Sequence, residues 1–173
     1  MMDLREGLER LNSASVSEAE TELLKCCGST GWARTLAARR PFGDARELLK
    51  AADEVWRNLS VRDWLEAFAA HPRIGGHKAE RAQHAQAEGW SEQEQSGARD
   101  AARATLEELA EANRAYEDKF GHIFIVCATG KTAEEMLALL RARLSNGADT
   151  ELRTAAGEQG KITRLRLEKL LTT

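Results

Sequence analysis

Apolar residues recur at helical spacing along nearly the whole chain, interrupted by a few short polar or glycine-containing stretches. Ser17 and Glu20, three residues apart, have capping-box form and predict a helix through Leu23, Leu24 and Cys27. A helix over 30–38 follows, ended by the breaking run Arg40-Pro41-Phe42-Gly43. Asp44 then caps a helix with Leu48, Leu49, Ala52, Val55 and Trp56 on its apolar face. Ser60 caps the next, in which Val61, Trp64, Leu65, Phe68 and Ala69 keep the same spacing. A long alanine-rich helix is expected from Ser91 to Phe120, with Leu106, Leu109, Ala110, Asn113 and Tyr116 along one stripe. Thr132 and Glu135 form a second capping box, opening a helix through Met136, Leu139, Leu140 and Leu144. Asn146-Gly147 stops it, and a last helix runs from Thr150 to Leu171.

Two stretches lack this pattern: 71–90, rich in Gly, His, Gln and charge, and 121–130. Ile123 to Cys127 is β-branched and aromatic but has no partner strand, so it predicts a buried extended connection. Its backbone N–H and C=O groups must be satisfied by other means, a polar ligand being one. The fold class is therefore an all-α, single-domain multi-helix bundle over 1–173, with a short extended segment near 123–128. The 173 residues suffice for a substantial core, and 42% apolar with 31% charged residues and two prolines fits a helix-rich chain. A net charge of −3 speaks against a general nucleic-acid binder. No apolar run approaches the roughly 18 residues of a membrane span, and the N-terminal residues lack a signal peptide's apolar core. Three cysteines, two of them the neighbours Cys26 and Cys27, do not make a disulfide framework and suggest a reducing cytoplasm.

Candidate chemistry gathers at three places. Pro72 forces the preceding residue out of the α region, so His71 stands at a helix end before the pair Gly75-Gly76. It is either a C-cap bonding a last-turn carbonyl or a proton-transfer group of near-neutral pKa. Ser91, Glu94 and Gln95 cluster at the start of the long helix, either as a capping box or as a site for a donor- and acceptor-bearing ligand. Arg166 falls within the apolar arc Leu152, Ala155, Ala156, Ile162, Leu165, Leu167 and Leu170, opposite Arg164. An inward guanidinium needs a salt bridge, for instance to Glu94, an outward path, or an anion in a pocket. Gly130-Lys131-Thr132 is no phosphate loop, because position 125, where that motif requires its first glycine, is isoleucine. Lys131 therefore reads as an ordinary lysine before a helix. His71, His77, His84 and His122 show no metal-ligand spacing, so no metal is expected. Cys127, flanked by apolar residues, is expected to be a buried, inert thiol.

In order and spacing, five pieces together resemble the 2-oxo-4-hydroxy-4-carboxy-5-ureidoimidazoline (OHCU) decarboxylase family. They are His71-Pro72-x-Ile74-Gly75; Ser91-x-x-Glu94-Gln95-x-Gly97; and Phe120-Gly121-x-x-Phe124-Ile125-Val126-Cys127-Ala128. Glu151-Leu152-Arg153 and Lys161-Ile162-x-x-Leu165-Arg166-Leu167 complete the set. The resemblance implies a cofactor-free, homodimeric all-α enzyme of urate breakdown that releases carbon dioxide from OHCU and forms (S)-allantoin. It implies His71, Glu94 and Arg166 as the catalytic set, with His71 the proton donor. Pro72, the run Ser91, Glu92, Gln93, Glu94 and Gln95, and the backbone of Phe124, Ile125, Val126, Cys127 and Ala128 would line the substrate site. Arg166 would bind charged substrate oxygens, either stabilising a developing oxyanion or gripping the departing carboxylate. The competing reading is a helical interaction module. It predicts an exposed apolar groove and a fully paired Arg166, whereas the enzyme predicts His71, Glu94 and Arg166 converging on a polar void.

Overall fold

The computed structural model describes residues 4–73 and 92–173, with 92–101 described by backbone alone. Among the described residues there are eight helices and no strand. They form two compact units, one of residues 1–70 with 156–173 and the other of residues 71–155. No helix among the described residues is long and apolar enough to cross a membrane.

The first unit holds α1 (Leu4–Ser13), α2 (Val16–Cys26), α3 (Thr30–Ala38), α4 (Ala45–Arg57), α5 (Val61–Ala69) and the later turns of α8 (Ala148–Thr172). Each of α2 to α5 starts where a small polar side chain accepts a first-turn N–H: Ser15, Ser29, Asp44 and Ser60. The capping box of α2 pairs Ser15 with Glu18, two residues ahead of the expected Ser17 and Glu20. That start puts Ala19, Leu23 and Cys26 on the buried face. Helix α1 has no counterpart among the expected elements; Leu8 and Leu11 bury its inner face.

Gly7 lets α1 approach the end of α8 closely, since a Cβ there would lie 2.0 Å from the Leu171 carbonyl oxygen. Arg40 donates to the carbonyls of Leu11 and Ala14 at 2.6 and 2.8 Å, satisfying the C-terminal end of α1. Trp32, Trp56 and Trp64 each sink an indole into this unit and donate its N–H to a backbone carbonyl, of Ala52, Ala156 and Trp56 respectively. On α5 the expected stripe is rotated: Ala67 and Phe68 are buried, whereas Val61 and Leu65 are exposed.

The second unit contains α6 (Glu92–Phe120), α7 (Ala133–Arg143) and the first turns of α8. Leu109 and Tyr116 of α6 and Leu137 and Leu140 of α7 enclose Phe124 and Val126 of the intervening connection. The expected Thr132–Glu135 capping box opens α7. Its inner face is Ala133, Leu137, Leu140 and Arg143, while the expected Leu139 faces solvent. Phe124, Ile125, Val126 and Cys127 are all buried in non-helical backbone, as the 123–128 reading anticipates.

Candidate active site

Helix α5 closes at its C-cap Ala70, and His71 follows at once, half-buried, with exposed Pro72 and Arg73 after it. The proline ends the helix as the sequence predicts. Arg73 then fastens this departing chain to α6 through a two-pronged pair with Glu117, at 2.6 and 2.8 Å. The arginine's hydrogen bonds hold the Glu117 carboxyl below its ordinary pKa, and Glu117 in turn raises that of Arg73. His71 therefore lies two residues before an ion-paired tether within its own unit.

The connection 123–128 is bracketed by Gly121 and Gly130, whose φ values of 74° and 75° lie in the left-handed region that favours glycine. Inside this bracket, alternate carbonyls are taken by side chains. His122 Nδ1 lies 3.0 Å from the Ile123 oxygen, Arg143 Nη1 donates to Ile125 at 2.7 Å, and Lys131 Nζ donates to Cys127 at 3.0 Å. Lys131 is thus more than a residue before a helix, because its ammonium closes the end of the connection. The backbone demand expected from sequence is met in part by protein groups. Cys127 is buried, as expected.

Arg143 belongs to a buried cluster that sequence reasoning misses. Its Nε donates to Glu151 Oε1 at 2.7 Å, and its Nη2 donates to the same oxygen. The Tyr116 hydroxyl also donates to Oε1, and Asn146 Nδ2 donates to Oε2 at 2.9 Å. The guanidinium lies 4.5 Å from the centre of the Phe124 ring. Burial pushes the Glu151 carboxyl up, but its hydrogen bonds to Arg143, Tyr116 and Asn146 prevail and leave the pKa below the usual value. Burial and the adjoining carboxylate drive the Tyr116 phenol strongly upward. In the sequence Glu151 stands out only as part of a motif, and Arg143 carries no signal beyond its place on the inward face of α7.

Arg166 corrects an expectation. It is exposed, not turned into the core. After the buried Glu151, the buried positions of α8 are Ala155, Ala156, Gln159, Thr163, Leu167 and Leu171. Gln159 Nε2 donates to Thr163 Oγ1 there at 3.1 Å. Two hydrogen-bonded polar residues hold core positions, and Leu165 faces solvent, so hydropathy alone rotates the predicted arc. Arg166 carries its charge beside Cys26 and Cys27, opposing the burial that raises those thiols to about 12 and about 11. Arg164 pairs with Asp53 at 2.8 Å on the surface.

Of the expected site residues, Phe124 to Cys127 come together as one buried strip with Ala128 exposed at its end, and His71 and Pro72 stand in succession after α5. Ser91 lies outside the described residues, as do His77 and His84; the backbone of Glu92, Gln93, Glu94 and Gln95 forms the first turn of α6, their side chains being outside the description. The Ser91 capping box and the convergence of Glu94 with His71 and Arg166 therefore fall outside it too. Among the described residues no three His, Cys, Asp or Glu side chains gather as metal ligands.

The family model of OHCU decarboxylase matches residues 12–168. A uric acid degradation bifunctional protein of Arabidopsis thaliana is 40% identical over 88% of the chain, which spans only 47% of that relative's length. An OHCU decarboxylase of Amia calva is 32% identical over 76% of the chain and 75% of its own length. Among solved structures, an OHCU decarboxylase crystallised in the presence of (S)-allantoin is similar with a TM-score of 0.72 and 40% identity. The similarity covers 88% of this chain and 98% of that one.

Proposed function

Because the chain belongs to the OHCU decarboxylase family, we propose that it decarboxylates OHCU to (S)-allantoin in urate degradation, without a cofactor. The observation that carries this reading is the 40% identity to a solved OHCU decarboxylase across nearly that protein's whole length. The family match runs through both compact units, which supports residues 1–173 acting as one catalytic domain. Membership also supports a homodimer, and the three buried cysteines, none of them in a disulfide, suit a reducing cytoplasm.

The reaction needs few groups. The carboxylate leaves C4 as carbon dioxide, and its electron pair is taken up by the adjoining C=N of the ring. The C4 hydroxyl oxygen becomes a carbonyl, and the ureido-bearing carbon gains the proton that sets handedness. His71 is assigned the delivery of that proton from one face, a role suited to an imidazole held half-buried after a helix end. Arg166, exposed beside Cys26 and Cys27, is assigned the negative charge of the substrate. Glu94 and Gln95 are assigned the ureido and ring N–H groups, with Pro72, Ser91, Glu92 and Gln93 as further lining. The backbone of Phe124 to Ala128 supplies fixed donors and acceptors, which cost no reorganisation during the reaction.

The test is turnover of OHCU generated freshly from urate with urate oxidase and the hydrolase that follows it. Acceleration of OHCU decay in proportion to protein concentration, over many turnovers per molecule, supports the assignment. Decay at the spontaneous rate, with folded protein present, rejects it.

A further inference from the structure

We propose that Arg143, locked by Glu151, is a positioning residue that sets the backbone of 124–126 for substrate, an inference that rests on the function proposed above. One planar guanidinium does three things here. It donates to the Ile125 carbonyl at 2.7 Å, lies against the Phe124 ring, and turns its remaining edge to Glu151. Glu151 is fully buried and Arg143 nearly so, with side-chain exposures of 0% and 10%.

A buried ion pair is a weak stabiliser, because apolar residues of similar volume commonly serve as well or better. What apolar residues cannot do is hold a particular carbonyl of an irregular, ladder-free connection at a fixed place. The cluster over-determines that carbonyl's position. Tyr116 from α6 and Asn146 from the α7–α8 turn fix the carboxylate, which fixes the guanidinium, which fixes Ile125. Backbone groups serve as preorganised partners only if they do not move when charge develops. Lysine cannot replace this arginine, since a single ammonium lacks the planar fork that reaches Ile125 and Glu151 together.

The test uses the full chain carrying Arg143→Lys, which keeps the buried charge opposite Glu151. A second variant, Arg143→Met with Glu151→Gln, removes both charges together. Hydrogen exchange across 120–130 is read beside OHCU kinetics and the affinity for (S)-allantoin. Amides of 124–127 should exchange at least about tenfold faster in both variants while α6 amides over 106–116 keep their protection. kcat/KM should fall at least about tenfold, mostly through KM, with (S)-allantoin binding weakened in parallel. Unchanged exchange over 124–127, or faster exchange with unchanged KM and allantoin affinity, overturns the proposal. Wild-type protein that neither turns over OHCU nor binds (S)-allantoin overturns the functional reading, and this inference with it. An active wild type with indifferent variants overturns the inference alone.

Discussion

His71 owes its place to two backbone events, the closure of α5 at Ala70 and the φ restriction of Pro72, and both are readable in sequence. The Arg73–Glu117 tether just beyond it is not, because nothing in one sequence pairs residues 44 positions apart. Replacing His71 with alanine should leave the helical circular-dichroism spectrum intact and lower kcat by roughly 10²–10⁴-fold, the range for loss of a positioned acid. A variant keeping more than about a tenth of wild-type kcat would remove His71 from proton transfer. Arg166 carries a different expectation. Arg166→Lys keeps the charge but loses the fork, so it should lose most activity and the rise in melting temperature caused by (S)-allantoin. Arg164→Lys should be nearly silent, since Arg164 forms a surface pair with Asp53 that a lysine can keep. Equal allantoin shifts in wild type and Arg166→Lys would return Arg166 to a structural role.

At the scale of elements, the start of α2 shows how local chemistry and packing divide the decision. Ser15 with Glu18 and Ser17 with Glu20 have the same capping spacing, and only the first places Ala19, Leu23 and Cys26 inward. Ser15→Ala should therefore destabilise the chain by about 1 kcal/mol. Ser17→Ala should stay within about 0.5 kcal/mol of wild type. Denaturant midpoints measure both, and a larger loss for Ser17→Ala would move the cap. Caps and stops make most helices legible: Asp44, Ser60 and Thr132 begin elements where expected. Faces are less legible than boundaries. Gln159 and Thr163 occupy core positions because they bond each other, and Arg143 does because Glu151 and Ile125 receive it. Hydropathy scores such residues as surface, which rotates the predicted arc of α8 and turns Arg166 inward. The connection 123–128 is recognisable as buried and in need of partners, whereas its partners, coming from α7 and from beyond Gly130, are beyond the reach of spacing arguments.

For the whole molecule, the buried Glu151 cluster ties stability to pH in a definite direction. The Glu151 carboxyl sits below its ordinary value of 4.5 in the folded protein. Its contribution is therefore fully present above that value and is lost as pH falls through the lower folded pKa. Melting temperature should drop as pH falls below about 4.5, and Glu151→Gln, less stable at neutral pH, should show a shallower fall. Parallel profiles for the two proteins would assign the acid sensitivity elsewhere. The activity belongs to the same scale, because the family match spans 12–168 and the assigned groups are spread from His71 to Arg166. The most direct test is the handedness of the product, followed by circular dichroism as fresh OHCU is consumed. Wild-type protein should yield (S)-allantoin in step with OHCU loss, while His71→Ala should leave the slow background reaction and racemic product. Racemic allantoin from the wild type, or OHCU decay unaffected by folded protein, would contradict the proposed activity.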